Sequence, residues 1–254
     1  MAITIKSERE IELMAEAGKI LERVHNELEK ALRPGMSTKD IDTLGEEIIR
    51  SYGCIPSFLN YNGYPASICV SVNQEVVHGI PDKHRIIQEG DIVSLDAGVI
   101  YKGYHSDAAR THAVGEVSEE AKKLIQVTKE SFFEGIKFAK AGNHLFDISV
   151  AIGRYAEERG YGVVRDLCGH GIGTALHEAP EIPNYEVGRK GVRLRPGMTL
   201  AIEPMINIGT HEVDWLDDDW TVVTRDGSLS AHYENTILIT EGEPRILSLT
   251  CENE

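Results

Sequence analysis

Little in this sequence points to a membrane, a secretory route or a nucleic acid. No apolar run approaches the roughly 18 residues that a membrane-spanning helix needs. The first ten residues, MAITIKSERE, turn charged by Lys6 with no apolar stretch ahead of it, so no secretory signal is expected. Cysteine is sparse: Cys54, Cys69, Cys168 and Cys251, none in a CxxC pair. That scatter excludes a disulfide framework or a zinc knuckle and leaves free thiols. Positive charge is short as well, with 26 Lys and Arg against 41 Asp and Glu and a net charge of −15 over 254 residues. Broad electrostatic binding to nucleic acid is therefore disfavoured, and no specific nucleic-acid partner is expected. The signatures of several enzyme classes are missing too: no P-loop, no G-x-S-x-G nucleophile elbow, no HExxH helix. The Gly169-x-Gly171-x-Gly173 run has neither the spacing nor the βαβ frame of a dinucleotide fingerprint. What remains, 41 % hydrophobic and 26 % charged, is the composition of an ordinary soluble protein, cytoplasmic by expectation and long enough to bury a sizeable core.

The hydrophobic pattern orders the chain into alternating blocks of helices and strands. Ser7-Glu-Arg-Glu10 reads as a capping box, and Met14, Ala17, Leu21, Val24 and Leu28 follow at helical spacing as far as Arg33-Pro34-Gly35. A second helix is expected over 38–52, with Ile41, Leu44 and Ile48 facing inward. A loop over 55–67, rich in Tyr, Asn, Gly and Pro, leads to a strand at 68–72, and 91–114 reads as a hairpin turning near Tyr101-Lys102-Gly103. Helical stretches at 118–141 and 145–159 precede strand-like segments at 161–167, 199–206, 221–224 and 231–240. This order predicts an α+β fold with a largely antiparallel sheet, in one domain spanning 1–254. It also hints at two similar halves, about 5–115 and 116–248.

Several acids stand in apolar strand context. A hairpin turning between residues 101 and 102 sets Asp96 directly opposite Asp107, with Cβ atoms about 4.5–5.5 Å apart. Such a pair destabilises a sheet unless a proton or a cation lies between the two. Two solvated aspartates, or a turn one residue out of register, are the plain alternatives. Glu203 follows Thr199-Leu-Ala-Ile and Glu234 precedes Asn235-Thr-Ile-Leu-Ile. Singly, each is more often a solvent-facing strand end; four such acids strengthen the case for convergence, because buried carboxylates must be paired or coordinate metal. His170 and His177 lie in Cys168-Gly-His-Gly-Ile-Gly-Thr-Ala-Leu-His177, where glycines let the backbone approach a site closely and deny a regular helix. A lone histidine there is more often structural. Four carboxylates and one imidazole form a hard ligand set suited to paired Mn, Fe, Co or Zn ions, and four negative charges balance two dications in a binuclear hydrolase.

Larger motifs carry a resemblance. They are Asn60-Tyr-Asn-Gly-Tyr-Pro65, Asn73-Gln-Glu-Val-Val-His-Gly-Ile-Pro81, Ser94-Leu-Asp-Ala-Gly98, Tyr104-His-Ser-Asp107, Gly169-His-Gly-Ile-Gly173 with His177-Glu178, Ile202-Glu-Pro-Met205 and Ser230-Ala-His-Tyr-Glu-Asn-Thr236. In this order and at these spacings, over about residues 5–248, the chain resembles the type I methionine aminopeptidases in their short bacterial form. The resemblance implies the pita-bread fold, two related halves closing over a dinuclear centre. It implies two divalent ions (Co, Mn, Fe or Zn) on Asp96, Asp107, His170, Glu203 and Glu234. Asp107 and Glu234 would bridge the ions, with Asp96 on one and His170 plus Glu203 on the other.

The implied reaction is removal of the initiator methionine from nascent proteins and peptides whose second residue is small, by attack of a dimetal-bridging hydroxide on the first peptide bond. Catalytic residues would be Glu203 as proton shuttle, His177 on the carbonyl oxygen and His78 at the amide nitrogen. The methionine pocket would comprise Tyr61, Tyr64, Cys69, Leu176 and Trp220, with Phe58 at the rim, soft apolar walls that suit a thioether. Partners would be nascent polypeptide N-termini and the ribosome, and the simplest assembly is a monomer. The chain's own Met1-Ala2 fits the small-second-residue rule, so a mature start at Ala2 is expected.

Departures accompany the resemblance. Phe58 stands where some members carry smaller residues, His232 where Gln is usual and Asn235 where His is usual. The latter two are outside the implied ligand set, so tuning of the metals is expected and not their loss. Glu212, Asp214, Asp217, Asp218 and Asp219 form an acidic segment, read first as a solvated loop; if docking on ribosomal RNA used a basic surface here, this chain would lack it. Two other readings compete. A proline-specific pita-bread peptidase carries an extra N-terminal domain, for which about 90 residues ahead of Asp96 leave little room. A non-catalytic relative that binds RNA or protein tends to lose ligands and gain basic surface, and neither is seen.

Overall fold

The computed structural model describes residues 3–249; Met1, Ala2 and Cys251, and with them the expected processing of the N-terminus, lie outside the described residues. The Ser7 hydroxyl accepts from the Glu10 N–H while the Glu10 carboxylate accepts from the Ser7 N–H, so the capping box opens α1 (Glu8–Ala31) as its sequence predicts. Ser37 and Asp40 repeat the device at α2 (Thr38–Ser51). Then come β1 (Ile55–Pro56), β2 (Ile68–Val72), β3 (Glu75–Val77) and the hairpin β4 (Ile92–Tyr101) and β5 (Tyr104–Ala113). The second half begins with α3 (Glu119–Ile136) and α4 (Leu145–Glu157). Short strands follow: β6 (Gly162–Val163), β7 (Gly169–Gly171), β8 (Glu178–Ile182), β9 (Thr199–Ile202) and β10 (Met205–Asn207). The last are β11 (Val213–Trp215), β12 (Val222–Thr224), β13 (Ser230–His232), β14 (Glu234–Leu238) and β15 (Arg245–Ile246). No helix among the described residues is long and apolar enough to cross a membrane.

Nine strands, counted among the described residues, form one sheet in the order β1-β4-β5-β14-β9-β7-β8, with β2 also on β4 and β15 on β14. Their recorded pairings are antiparallel, as expected. Within this sheet, strands from the first half meet strands from the second at one seam, where Glu234 pairs with Ala109 and Asn235 with Ala108. Alternation along β4 sends Val93, Leu95, Ala97 and Val99 into the apolar layer under α1 and α2, together with Leu21, Val24, Leu28 and Ile41. A second layer joins Phe132, Ile148 and Ile152 of α3 and α4 to Leu200, Ile202 and Ile237 of β9 and β14. The sheet face left over carries the polar residues of β4 and β5.

Four strand expectations are corrected. Lys102 and Gly103 both have positive φ, 49° and 86°, the signature of a two-residue type I′ turn. That turn pairs Tyr101 with Tyr104 and shifts the register by two from a turn between 101 and 102, so Asp96 faces Ala109 and Asp107 faces Gly98. Asp96 and Asp107 are thus diagonal neighbours, still on one face because the shift is even. The run expected over 161–167 is a strand only at its start, and the runs expected over 199–206 and 231–240 are each broken. Pro204 lacks an N–H for the ladder, and the Tyr233 N–H donates to its carbonyl at 3.2 Å. Register is nonetheless kept across the break, with Ile202 opposite Asn235 and Met205 opposite His232. Glu203 and Glu234 therefore oppose each other at the point where the strand pair bends from the main sheet into the small β13-β10-β6 sheet.

Helix α1 docks closely on the chain near β15: a Cβ on Gly18 would lie 2.0 Å from the Leu247 carbonyl oxygen. Gly18→Ala is expected to destabilise the protein by about 1–3 kcal/mol through overpacking, read as an earlier urea midpoint at unchanged slope. A variant as stable as the parent would contradict this docking.

Candidate active site

The polar sheet face gathers the acids. Asp96 and Asp107 come from the hairpin, and Cys69 of β2 pairs with Asp96 and stands beside it. Asp107 is held by Thr236 of β14, whose hydroxyl accepts from the Asp107 N–H and donates to its carbonyl, both at 2.9 Å. His170 arrives on β7, which no sequence signal marked as a strand. Its glycines explain how it fits: a Cβ on Gly169 would lie 2.4 Å from the Ala201 carbonyl oxygen and one on Gly171 2.2 Å from that of Ala179. Only bare backbone passes between β9 and β8 there.

His170 Nδ1 donates to the Gly171 carbonyl at 2.9 Å, which leaves Nε2 as a free lone pair. That nitrogen lies 3.8 Å from Asp107 Oδ2 and 3.5 Å from Glu203 Oε1. Burial, and then the neighbouring His177, hold the His170 pKa down at about 3, so the ring is neutral. Burial drives the carboxylates the other way. Asp107 is raised to about 8, and Asp96, Glu203 and Glu234 stand well above the usual carboxylate range, by burial first and by the Asp107 charge next. Asp96 Oδ1, Asp107 Oδ1 and Glu234 Oε1 are buried without a hydrogen-bond partner. Glu203 keeps 14 % of its side-chain surface open. Mutually repelling, under-bonded oxygens around a neutral imidazole lone pair are what a divalent cation resolves, and the donor set fits Mn, Fe, Co or Zn. Asp107, His170 and Glu234 present ligand atoms all within 4.8 Å of one another.

Every residue expected at the pocket lines the same cavity as these ligands: Phe58, Tyr61, Tyr64, Cys69, His78, Leu176, His177 and Trp220. Tyr64 meets Trp220 edge-on at 5.1 Å and donates its hydroxyl proton to the Gly79 carbonyl at 2.9 Å. Asp218 makes the turn that seats Trp220, accepting from the N–H groups of Trp220 and Thr221 at 2.9 and 2.7 Å. His78 adopts a left-handed φ of 60°, backbone strain of about 1–3 kcal/mol of the kind that concentrates at functional sites. Tyr61 and His177 Nδ1 are hydrogen-bonded at 2.7 Å. Burial beside Asp96 pushes the Cys69 thiol up and keeps it protonated. Asn62, Val77, Leu167, Cys168 and Met205 also line the cavity. Asn62, Val77 and Met205 stand inside the motifs that carry the resemblance and Cys168 adjoins one, which is the only signal the sequence gives for them.

The comparisons with known proteins agree with this geometry. The family model for metallopeptidase family M24 matches residues 12–241. A methionine aminopeptidase of Clostridium acetobutylicum is 58 % identical over 250 residues, which cover 98 % of this chain and 100 % of that one. The chain belongs to metallopeptidase family M24, among the methionine aminopeptidases. The crystal structure of a methionine aminopeptidase from Thermotoga maritima matches with a TM-score of 0.96 at 47 % identity, covering 98 % of this chain and 100 % of that chain. The fold is accordingly the pita-bread fold, and the chain is a metal-dependent aminopeptidase by family, which sets aside the non-catalytic reading. An Xaa-Pro dipeptidase of Bacillus anthracis shares the fold at a TM-score of 0.77 and 27 % identity, but only 63 % of its length is covered.

The raised carboxylates make metal-free stability pH-dependent with a definite sign. Unfolded, these acids lose their protons near about pH 4; folded and metal-free, Asp107 keeps its proton to about 8. Their stabilising protonation is complete below about pH 4 and is lost as pH rises through about 8. The Tm of chelator-stripped protein is expected to fall over that window. Added Mn or Co, which needs deprotonated ligands, should raise Tm more at about pH 8 than at about pH 5. A metal-induced gain that ignores pH would contradict this account of the carboxylates.

Proposed function

We propose that this chain removes the N-terminal methionine from nascent proteins and peptides whose second residue is small, with two divalent ions held by Asp96, Asp107, His170, Glu203 and Glu234. The observation that carries the reading is the opening of one cavity onto both those five side chains and an apolar recess walled by Phe58, Tyr61, Tyr64, Cys69, Leu176 and Trp220. The ions, when bound, supply charge balance and a lowered water pKa, as in other binuclear hydrolases. Asp107 and Glu234 would serve both ions, Asp96 one of them, and His170 with Glu203 the other.

The remaining chemistry belongs to the side chains. Glu203, partly open to the cavity, takes the proton from the attacking water and returns it to the leaving amine. Burial raises the Tyr61 phenol above its usual pKa, so it stays protonated and donates to His177 Nδ1. That bond leaves the proton of the neutral His177 ring on Nε2, where it donates to the carbonyl oxygen as that atom becomes anionic. His78, its ring 6.3 Å from that of Trp220, contacts the amide nitrogen. A neutral donor is required here, and burial holds the pKa values of both His78 and His177 down. The recess selects an unbranched, polarisable side chain by its soft walls.

The same reading makes nascent N-termini the partners, the ribosome the setting, the cytoplasm the location and a monomer the working unit. The acidic segment does not count heavily against it. Arg225 binds Glu212 and Asp214 at 2.9 and 3.0 Å, and Asp218 serves the Trp220 turn.

Purified, chelator-stripped protein should release methionine from Met-Ala-Ser after addition of Mn, Co or Fe(II), and leave Met-Lys-Ser and Ala-Pro peptides intact. Cleavage of the Ala-Pro substrate in preference, or none with any metal in folded protein, would sink the proposal. His177→Ala should lower kcat by about 10²–10³-fold, the cost of one oxyanion donor, with a much smaller change in KM.

A further inference from the structure

We propose that His232 is a sixth protein ligand, joining His170, Glu203 and Glu234 around one ion of the centre; the inference rests on the dinuclear reading above. His232 ends β13, where its N–H donates to Thr111 Oγ1 and its carbonyl accepts from that hydroxyl, both at 2.9 Å. The clamp fixes the backbone and so aims the ring. Its side chain is 2 % exposed, and neither ring nitrogen has a hydrogen-bond partner. A buried imidazole with both nitrogens idle is costly and calls for an explanation.

The explanation lies in what Nε2 faces. It is 3.8 Å from Glu203 Oε2 and 3.9 Å from Glu234 Oε2, too far for hydrogen bonds. It is, however, near the spacing of co-ligands, since donors about 2.0–2.2 Å from one ion at tetrahedral angles stand about 3.4 Å apart. His170, assigned independently to the centre, keeps the same spacing from Glu203 and Asp107, 3.5 and 3.8 Å. Glu203, His232 and Glu234 present ligand atoms all within 4.8 Å of one another, as Asp107, His170 and Glu234 do. With Nε2 on the ion the ring proton moves to Nδ1. The ring also borders a cavity lined by Glu22, His25, Arg110 and His112.

The chemical consequence is a mixed centre. One ion has two imidazoles among its ligands and the other has none. Imidazole favours Zn, Fe and Co, whereas a carboxylate set suits Mn, so the two positions differ in the metals they prefer.

Full-length protein loaded with ¹¹³Cd and labelled with ¹⁵N-histidine tests this directly. Two imidazole Nε2 signals coupled to cadmium are expected, one lost in His170→Gln and the other in His232→Gln. Coupling to His170 alone would overturn the inference and leave the metal centre standing; coupling to neither would overturn the centre itself. In binding titrations, His232→Gln should weaken Zn by about 10-fold or more, at least the loss seen when residues that only orient ligands are removed, and weaken Mn less. An unchanged Zn-to-Mn affinity ratio would also overturn it.

Discussion

Four carboxylates forced into one water-poor space repel one another, and the architecture around them is a means of holding that repulsion in place. Asp96, Asp107, Glu203 and Glu234 could relax by turning outward or by binding protons. The sheet denies them the first course: Asp96, Asp107 and Glu234 are set by the alternation of their strands, and Glu203 directly follows β9, whose other face is locked into an apolar layer. Protonation, the second course, is what burial enforces while cations are absent. A site built this way stores binding energy for dications in its own discomfort.

The two halves of the chain share the task unequally. The first contributes a regular hairpin, ten residues per strand, whose rigidity comes from α1 and α2 packed behind it. From the second come Glu203 and Glu234, placed at a shared bend, together with a histidine threaded between strands on a glycine track. Half-buried Arg110 links the halves across the seam, donating to the Glu234 carbonyl and to Asn235 Oδ1. Asn235 thus serves the far face of the sheet as an anchor for Arg110 and not the cavity.

Much of this was legible in the sequence, and the failures have causes. The acids stood out because strand alternation should have made their positions apolar or solvated, and the four acids did converge. Opposing Asp96 and Asp107 directly was wrong because turn type depends on Lys102 entering the left-handed region, which its side chain does not advertise. The bend at Glu203 was announced by Pro204, but its partner break at Tyr233 carries no local signal and follows only from pairing. Strand β7 was unreadable, since three residues with two glycines resemble a loop until their neighbours are known. The pocket walls were named through family resemblance alone; aromatic residues in a loop rich in Asn and Gly carry no pattern of their own. In the sequence His232 reads as a substitution and not as a donor, because its aim is set by Thr111, a residue over a hundred positions away.

Burial also decides how the cavity ages. Cys69 and Cys168 both line it, beside a centre that would accept redox-active iron. Oxidants and electrophiles attack the thiolate. Burial holds Cys69 protonated, and burial followed by the Glu203 charge raises Cys168 to about 11. Without metal, both sulfurs therefore act as soft wall material, slow to oxidise and poor handles for covalent probes. The low polarity that sharpens the metal site thus also keeps its thiols chemically quiet.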